Sequence, residues 1–280
     1  MRRRLFLACL GFGLLAYSLA GGVGCRHKPP QKIDRLLTAD ELYHRGLEKL
    51  KPHRAFLFFH VVETQEAIST FQQIVDNFPE SDYAIQAELQ IAQAYFNDGK
   101  YDEAEAHYKE FIEIHPTHGS VPQAMYQAGM CKFKKTPIKE RDQTDTKNAA
   151  GYFELLINKY PDSPYADQAR ECLQQCKGKL AEHDYFVAQF YMNRKDYRGA
   201  LNRCDTILAN YPGAGWDAQA LYCVGQAHFF LDEPQQAREA FQTLVEQYPS
   251  DTNAGAARGW LARVRSSEDA ERERSEMDLP

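Results

Sequence analysis

The sequence lacks the short motifs that mark most enzymes and cofactor sites. It contains no glycine-rich phosphate loop and no nucleophile motif, and its carboxylates lie on hydrated helix faces without an opposing pair for acid–base chemistry. His115 and His118 flank a turn, but no cysteine or acidic pair accompanies them, so a turn-stabilising role competes with a metal site. We therefore expect no catalytic residue, no metal and no cofactor beyond a covalent lipid.

Positive charge and long apolar runs are also scarce. Lys and Arg number 33 against 39 Asp and Glu, and 30 basic residues remain if Arg2, Arg3 and Arg4 are removed with a leader. A surface of this sign repels nucleic acid and anionic lipid, so no nucleic-acid partner is expected. The longest apolar run, Leu5 to Ala20, is too short for a comfortable membrane span.

Residues 1–25 are typical of an export signal. Three arginines precede the apolar run, and a stretch of small residues follows it before Cys25. Small residues before a cysteine resemble a bacterial lipobox, with Gly22 where Leu is usual, and this predicts a lipid on the Cys25 thiol as the only membrane attachment. Ordinary cleavage after Ala20 is the alternative. Under the sorting rules that the resemblance implies, Arg26 favours the periplasmic face of the outer membrane.

One phrase recurs five times in the chain. An apolar helical stretch ends in an aromatic residue or His, and Pro follows, at Pro79, Pro116, Pro161, Pro212 and Pro249. In a 34-residue frame counted back from Pro116, the tetratricopeptide signature positions 8, 11, 20, 24 and 27 hold Ala92, Tyr95, Ala104, Tyr108 and Phe111. Small residues at positions 8 and 20 let two helices approach closely, and Pro ends the second helix. The pattern predicts an all-α tetratricopeptide-repeat solenoid of five helical hairpins.

Insertions and extensions interrupt this frame. The third repeat gains a polar stretch near residues 134–146, which we expect to be an exposed loop, and the first gains residues 51–62, for which the pattern gives no structure. Helix formers without Pro predict one long helix from Tyr165 to about Met192, joining repeats three and four. Residues 26–37 suit a flexible tether. The charged tail 263–280 lacks aromatic residues and is predicted to be disordered.

Three phrases carry a family resemblance beyond the generic repeat. HPTHGS at 115–120, RDQ at 141–143 and LAEHDYFVAQFY at 180–191 resemble the BamD family of outer-membrane assembly lipoproteins, over about residues 38–262. This resemblance implies a non-catalytic lipoprotein scaffold of the β-barrel assembly machinery, with the other lipoproteins of that machinery as partners.

The resemblance also assigns a role to each half. It implies that repeats 1–3, residues 38–162, bind the C-terminal signal of unfolded outer-membrane barrel proteins. It implies that the long helix and repeats 4–5, residues 163–262, dock the POTRA domains of a barrel partner similar to BamA. A different lipidated repeat protein, such as a pilus-secretin pilotin or a Tol-Pal-associated factor, would share the fold but lack the three phrases.

Positions 5, 9, 12 and 13 of each first helix are expected to line the concave face, because the signature positions are structural. Aromatic rings with polar neighbours at these positions suit extended, aromatic-bearing peptides. The candidate peptide-binding residues are Tyr43, Gln93, Phe96, Asn97, Tyr126 and Phe133. The alternative is that the rings pack against the neighbouring repeat and never contact a ligand.

Two residues are candidates for partner docking, and two cysteines offer a competing chemistry. Arg203 matches an arginine that the family presents to its POTRA partner, and Tyr222 occupies position 5 of repeat five. The alternative for Arg203 is a solvated helix charge. Cys172 and Cys176, at i and i+4, share a helix face. They are buried small residues, a strained disulfide or a redox pair, and the redox pair would make the protein an enzyme.

Overall fold

The computed structural model of the protein describes residues 37–56 and 59–277. The export signal with Cys25, and the tether as far as residue 36, lie outside these ranges. A compact unit begins at Thr38, whose hydroxyl accepts a hydrogen bond from the backbone N–H of Glu41, while the Glu41 carboxylate accepts from the backbone N–H of Thr38. This reciprocal capping box fixes the start of the first helix.

Eleven helices and one β-hairpin occupy the described ranges. The elements are α1 Ala39–Lys49, β1 His53–Phe56, β2 Phe59–Val61, α2 Thr64–Asn77, α3 Asp82–Asn97, α4 Tyr101–Ile114, α5 Val121–Lys134, α6 Thr144–Lys159, α7 Ala166–Asn193, α8 Tyr197–Asn210, α9 Asp217–Phe230, α10 Pro234–Gln247 and α11 Thr252–Met277. The first ten helices pack in five successive hairpins, and α11 packs on α9 and α10. The predicted tetratricopeptide-like solenoid is confirmed.

The second helix of every hairpin ends in the same way. The capping residues are Phe78, His115, Tyr160, Tyr211 and Tyr248, with φ between −136° and −119° and ψ between 42° and 59°. Each precedes a proline, whose ring disfavours the helical conformation of the residue before it. The recurrent aromatic–proline phrase therefore sets five helix ends independently of the rest of the chain.

Small residues at position 8 lie directly under the side chain at position 24 of the same hairpin. A Cβ atom added to Gly225 would lie 2.6 Å from the Phe241 ring, and one added to Gly129 would lie 2.7 Å from Phe153. Both phenylalanine side chains are fully buried. The close approach of the two helices is thus decided by the missing Cβ, as the signature predicts.

The long helix is confirmed to within one residue at each end. Helix α7 runs from Ala166 to Asn193, against a prediction of Tyr165 to about Met192. It packs against α6 as well as α8, so a single helix serves repeats three and four.

The prediction of a disordered tail at 263–280 is wrong for residues 263–277. Helix α11 continues to Met277, and its first half is held on the solenoid by Trp260 and by the buried Val264. The remainder is rich in Glu and Arg, which favour a helix, and it propagates from a turn that is already formed.

Both insertions have structure that the repeat pattern does not contain. In the first repeat, β1 pairs antiparallel with β2, with His53 opposite Val61. In the third, the expected exposed loop spans 135–143, but Gln143 is buried: its side-chain amide donates to the carbonyl oxygens of Ile138 and Arg141 at 3.0 and 3.1 Å. These hydrogen bonds fold the loop back onto the start of α6.

Candidate functional site

Three of the predicted peptide-binding residues lie together at the end of α3. The Gln93 side-chain amide donates to Asn97 Oδ1 at 2.9 Å and accepts from the Tyr108 hydroxyl at 3.1 Å. Phe96 is half-buried and lies edge-on to Tyr101 at 5.4 Å. Because Asn97 is exposed, a bound peptide would reach its amide first.

Tyr126 and Phe133 form a second group on α5. Their ring centroids lie 5.9 and 6.2 Å from that of the buried Phe153. Tyr126 also stacks on Tyr165 at 5.6 Å, and burial raises the pKa of its hydroxyl to about 12. Both rings are half-buried. They pack on the core through one side and keep part of their surface exposed.

Tyr43 stands apart from both groups, on α1. Its ring lies 5.7 Å from Phe71 and 5.4 Å from Tyr83. The Tyr83 hydroxyl donates to Asp40 at 2.7 Å, and this hydrogen bond raises the pKa of Tyr83. The six candidates therefore fall into three separate groups along the first helices of repeats one, two and three.

Arg203 lies on α8 and already has a partner within the chain. Its guanidinium donates to Asp184 Oδ1 at 3.0 Å, and the Asp184 side chain is only 9% exposed whereas that of Arg203 is 43% exposed. A shallow depression of about 320 Å³ opens beside the pair, lined by Tyr191, Asp196, Gly199, Asn202, Arg203 and Thr206. Arg203 thus neutralises a buried carboxylate and still presents part of its guanidinium to solvent.

Helix α7 also carries an exposed aromatic face. Phe186 and Phe190, four residues apart on α7, are 40% and 50% exposed, and Phe190 contacts Tyr191. The Lys139 ammonium lies 6.0 Å from the Phe186 ring, and the Arg194 guanidinium lies 5.0 Å from the Phe190 ring. We call Phe186, Phe190 and their two cations the α7 face. The repeat pattern does not predict this face, although two Phe four residues apart, at positions that neither the core nor the concave face requires, are a usable signal for it.

Tyr222, the second docking candidate, belongs to a different contact. Its hydroxyl accepts a hydrogen bond from Trp260 Nε1 at 3.0 Å, and its ring lies edge-on to Phe241. Arg203 is therefore oriented by α7 and Tyr222 by α11. Sequence reasoning could not anticipate either partner, because each contact joins residues far apart in the chain.

The histidines and cysteines considered as chemical sites have ordinary structural contacts. His115 Nε2 lies 2.8 Å from a Glu88 carboxylate oxygen, and His118 Nδ1 accepts a hydrogen bond from the backbone N–H of Ser120. Among the described residues, no three His, Cys, Asp or Glu are grouped to hold a metal. Cys172 Sγ points at Met130 Sδ, 3.8 Å away, while Cys176 is fully buried, which raises its pKa to about 12.

The five helical hairpins define a protein of the tetratricopeptide-repeat class. The part of the chain that the structure describes has no helix long and apolar enough to cross a membrane. The sequence model of the YfiO family, described as outer membrane lipoprotein, matches residues 37–240, and the chain belongs to this family.

Relatives with curated names extend this match over most of the chain. The outer membrane protein assembly factor BamD of Neisseria gonorrhoeae is 28% identical over 259 residues, which are 89% of this chain and 92% of the relative. The protein of the same name from Xylella fastidiosa strain 9a5c is 24% identical over 84% of this chain and 83% of the relative. Among solved structures, the TPR2AB domain in the pHSP90 complex of yeast Sti1 is 14% identical, with a TM-score of 0.39 over 82% of this chain and 83% of that one. That likeness is too low to carry an argument.

Proposed function

We propose that the protein is a non-catalytic lipoprotein scaffold of the outer-membrane β-barrel assembly machinery. The observation that carries this proposal is the family match over residues 37–240, together with relatives named outer membrane protein assembly factor that align over more than four-fifths of both chains. In this proposal a lipid on Cys25 holds the protein at the periplasmic face of the outer membrane. No other cofactor takes part.

Repeats one to three receive extended segments of unfolded barrel proteins. Strands of a barrel alternate apolar and polar side chains, and their backbone amides need partners until the sheet forms. The half-buried rings of Phe96, Tyr126 and Phe133 supply apolar contact, and the exposed Asn97 supplies a donor and an acceptor. Three separate groups of such residues suit an extended segment better than a compact ligand.

A peptide titration tests this first role. The probe is a fluorescent synthetic peptide of alternating aromatic and polar residues. We expect Phe96→Ala with Asn97→Ala to weaken its binding at least tenfold, equivalent to about 1.4 kcal/mol. The matched control is Asn77→Ala, which changes an exposed asparagine at the end of a neighbouring helix. Equal binding by the double variant and the unmodified protein would overturn the assignment.

The C-terminal half docks the barrel partner, a BamA-like protein, through its POTRA domains, and the other lipoproteins of the machinery join the same assembly. The α7 face and the depression at Arg203 support this role, because aromatic and Arg side chains are enriched in protein interfaces. Arg203 is the residue we assign to the contact.

The docking test must separate the exposed guanidinium from its internal ion pair. We propose affinity capture of the tagged protein from detergent-solubilised envelopes, comparing Arg203→Gln with Asp184→Asn. Both variants break the ion pair, but only the first removes the guanidinium. Arg198→Gln serves as a charge control, since Arg198 lies on the same helix and its side chain is 82% exposed.

The expected result is loss of a POTRA-bearing barrel protein with Arg203→Gln alone. Equal loss with Asp184→Asn would mean that Arg203 acts by stabilising α7 and α8. Capture of secretin or Tol-Pal components in place of the barrel protein would overturn the proposed function and leave the fold unchanged.

A further inference from the structure

Two buried thiols meet where repeat four packs on repeat five. Cys204 on α8 and Cys223 on α9 are both fully buried and both free. They belong to one core cluster with Ala188, Ala200 and Ala220, and the two helices pack directly on each other. The Cys204 thiol lies close enough to that of Cys223 for each to shift the pKa of the other. Small neighbours therefore allow two thiols to lie close together across a helix–helix interface.

This closeness perturbs both thiols. Their mutual interaction raises the pKa of Cys204 and lowers the pKa of Cys223, while burial acts to raise both. These shifts belong to the packed helices, so they do not decide which thiolate attacks a disulfide before the helices dock.

The other cysteines in the described ranges have different surroundings. Burial raises the pKa of Cys131 and of Cys176 to about 12, and the sulfur of Cys172 contacts a methionine. Cys172 and Cys176, which share one face of α7, are thus not the pair that the tertiary structure favours. A regular helix does not hold such neighbours in relaxed disulfide geometry.

We propose that Cys204 and Cys223 form an intramolecular disulfide that joins α8 to α9 when the chain folds under oxidising conditions. One of the two cysteines, as the thiolate, attacks one sulfur of a disulfide donor such as oxidised glutathione, and the first donor thiolate leaves and takes up the proton of that cysteine. The other cysteine then attacks the mixed disulfide, and its proton goes to the second donor thiolate. Two cysteine S–H bonds are lost, one S–S bond forms, and the donor is reduced to two thiols.

The burial of both sulfur atoms decides when this reaction takes place. A donor cannot reach either thiol once α9 is packed, so oxidation precedes the docking of the two helices or needs their transient opening. The resulting bond closes a loop within repeats four and five and leaves repeats one to three untouched.

Trypsin offers a direct assay. Arg203 and Arg238 bound a stretch without Lys or Arg that contains Cys204 and Cys223 and no other cysteine. We would refold the full chain in detergent with and without oxidised glutathione, alkylate with iodoacetamide in denaturant, and map this peptide by mass spectrometry. We expect a peptide without alkyl groups and about two mass units lighter than the dithiol after oxidised refolding, and a doubly alkylated peptide otherwise.

A thermal scan gives a second readout. Because the bond restricts the unfolded chain, we expect the oxidised protein to have a Tm roughly 5–10 °C higher, with the gain abolished by dithiothreitol and absent in Cys223→Ala. The mapping uses the unmodified chain, so it holds even if the variant folds poorly. Double alkylation after oxidised refolding, retained glutathione on either cysteine, or loss of thiols at Cys172 and Cys176 instead would overturn the proposal.

Discussion

Repeats three and five build the same inner contact and differ in what else lies around it. Both place a glycine at position 8 under a buried phenylalanine, Gly129 under Phe153 and Gly225 under Phe241. In repeat five that phenylalanine stacks on Trp260, with ring centroids 5.9 Å apart and an interplanar angle of 13°.

Repeat three also has aromatic neighbours of its buried phenylalanine, and it adds a group of charged side chains. Lys132 takes position 11, and its ammonium lies 2.7 Å from a Glu105 carboxylate oxygen, with both side chains 15% exposed. Asp102 and Asp145 lie 3.7 Å away on either side, and the Tyr152 hydroxyl donates to Glu105 at 2.8 Å. The signature thus fixes how closely two helices approach, while the residues around that contact can be ionic or aromatic.

The aromatic contacts around Phe241 in repeat five are expected to contribute most to the free energy of unfolding. Trp260→Ala removes the stack on Phe241 and the hydrogen bond to Tyr222, and we expect a loss of about 3 kcal/mol for a half-buried indole. Hydrogen exchange should then rise in α9 to α11 and stay unchanged in α5 and α6, because repeats contact only their neighbours.

Arg263→Ala is the matched control for this change. The Arg263 guanidinium lies 4.8 Å from the Trp260 ring, so its removal should cost about 0.5–1 kcal/mol. Faster hydrogen exchange throughout repeats one to three in the Trp260→Ala variant would contradict the independence of repeats three and five.

Replacing the glycine at position 8 by alanine should lower stability equally in repeats three and five. A methyl group at Gly129 or Gly225 would overlap a buried ring, at a cost of about 3 kcal/mol, against about 1 kcal/mol gained in helix propensity. Urea denaturation should show a net loss of about 2 kcal/mol for each alanine variant.

Gly151→Ala serves as the control for these variants. Gly151 is exposed on α6, and a Cβ there would meet nothing within 4 Å, so the change should stabilise by about 0.5–1 kcal/mol. A large difference between Gly129→Ala and Gly225→Ala would mean that the surroundings, and not the glycine, control the contact.

The contribution of the Lys132 ion pairs in repeat three to stability should depend on pH in the alkaline range. Burial acts to lower the pKa of Lys132, but its hydrogen bond to Glu105 and the neighbouring carboxylates outweigh burial and raise it above 10.5. The stabilisation is therefore fully present below the unfolded pKa and is lost as pH rises through the higher folded pKa.

Lys132→Met tests this directly. We expect it to cost about 1–2 kcal/mol at pH 7, less than for a fully buried pair because the site is partly solvated, and the difference from the unmodified protein should shrink above about pH 10.5. Lys135→Met removes a more exposed lysine that pairs with Asp102 alone and should have a smaller effect. A difference that stayed constant to pH 12 would exclude the ion-pair explanation.

Substitutions in the turns between paired helices are expected to have the smallest effect on stability. Repeat five turns tightly at Asp232, with φ of 62°, whereas repeat three uses the loop 135–143. Asp232→Gly should stabilise by about 0.5–1 kcal/mol, because glycine adopts this conformation without strain. Lys195→Gly, at φ 61° in repeat four, should behave alike, and an unchanged midpoint in chemical denaturation for both would contradict the assignment of strain.

The predictable parts of the fold are those that rest on local pattern. Five helix ends followed from the aromatic–proline phrase, and the bounds of α7 followed from a run of helix formers without proline. The β-hairpin of β1 and β2 could not be predicted because it interrupts the repeat frame. The later half of helix α11 could not be predicted because high charge and the lack of aromatic residues are also typical of disorder.

The candidate sites were harder to predict, because each depends on partners distant in the chain. The carboxylate of Asp184 that holds Arg203 and the thiol of Cys223 that meets Cys204 come from neighbouring helices. Nothing in the local sequence of Arg203 indicates that its guanidinium is already paired. For the same reason, the spacing of Cys172 and Cys176 on one helix gives no indication that Cys204 and Cys223 lie close together on two.

The sequence by itself determined the class of fold, the five hairpins and the family, because position 8, position 24 and the terminal proline act within a single hairpin. Only the tertiary structure decided which aromatic rings stay partly exposed, which charges pair internally and which cysteines meet. Those properties depend on how successive hairpins pack. Small residues determine how closely neighbouring helices approach, and differences of a few tenths of an ångström in that approach are not encoded in the periodicity of the sequence.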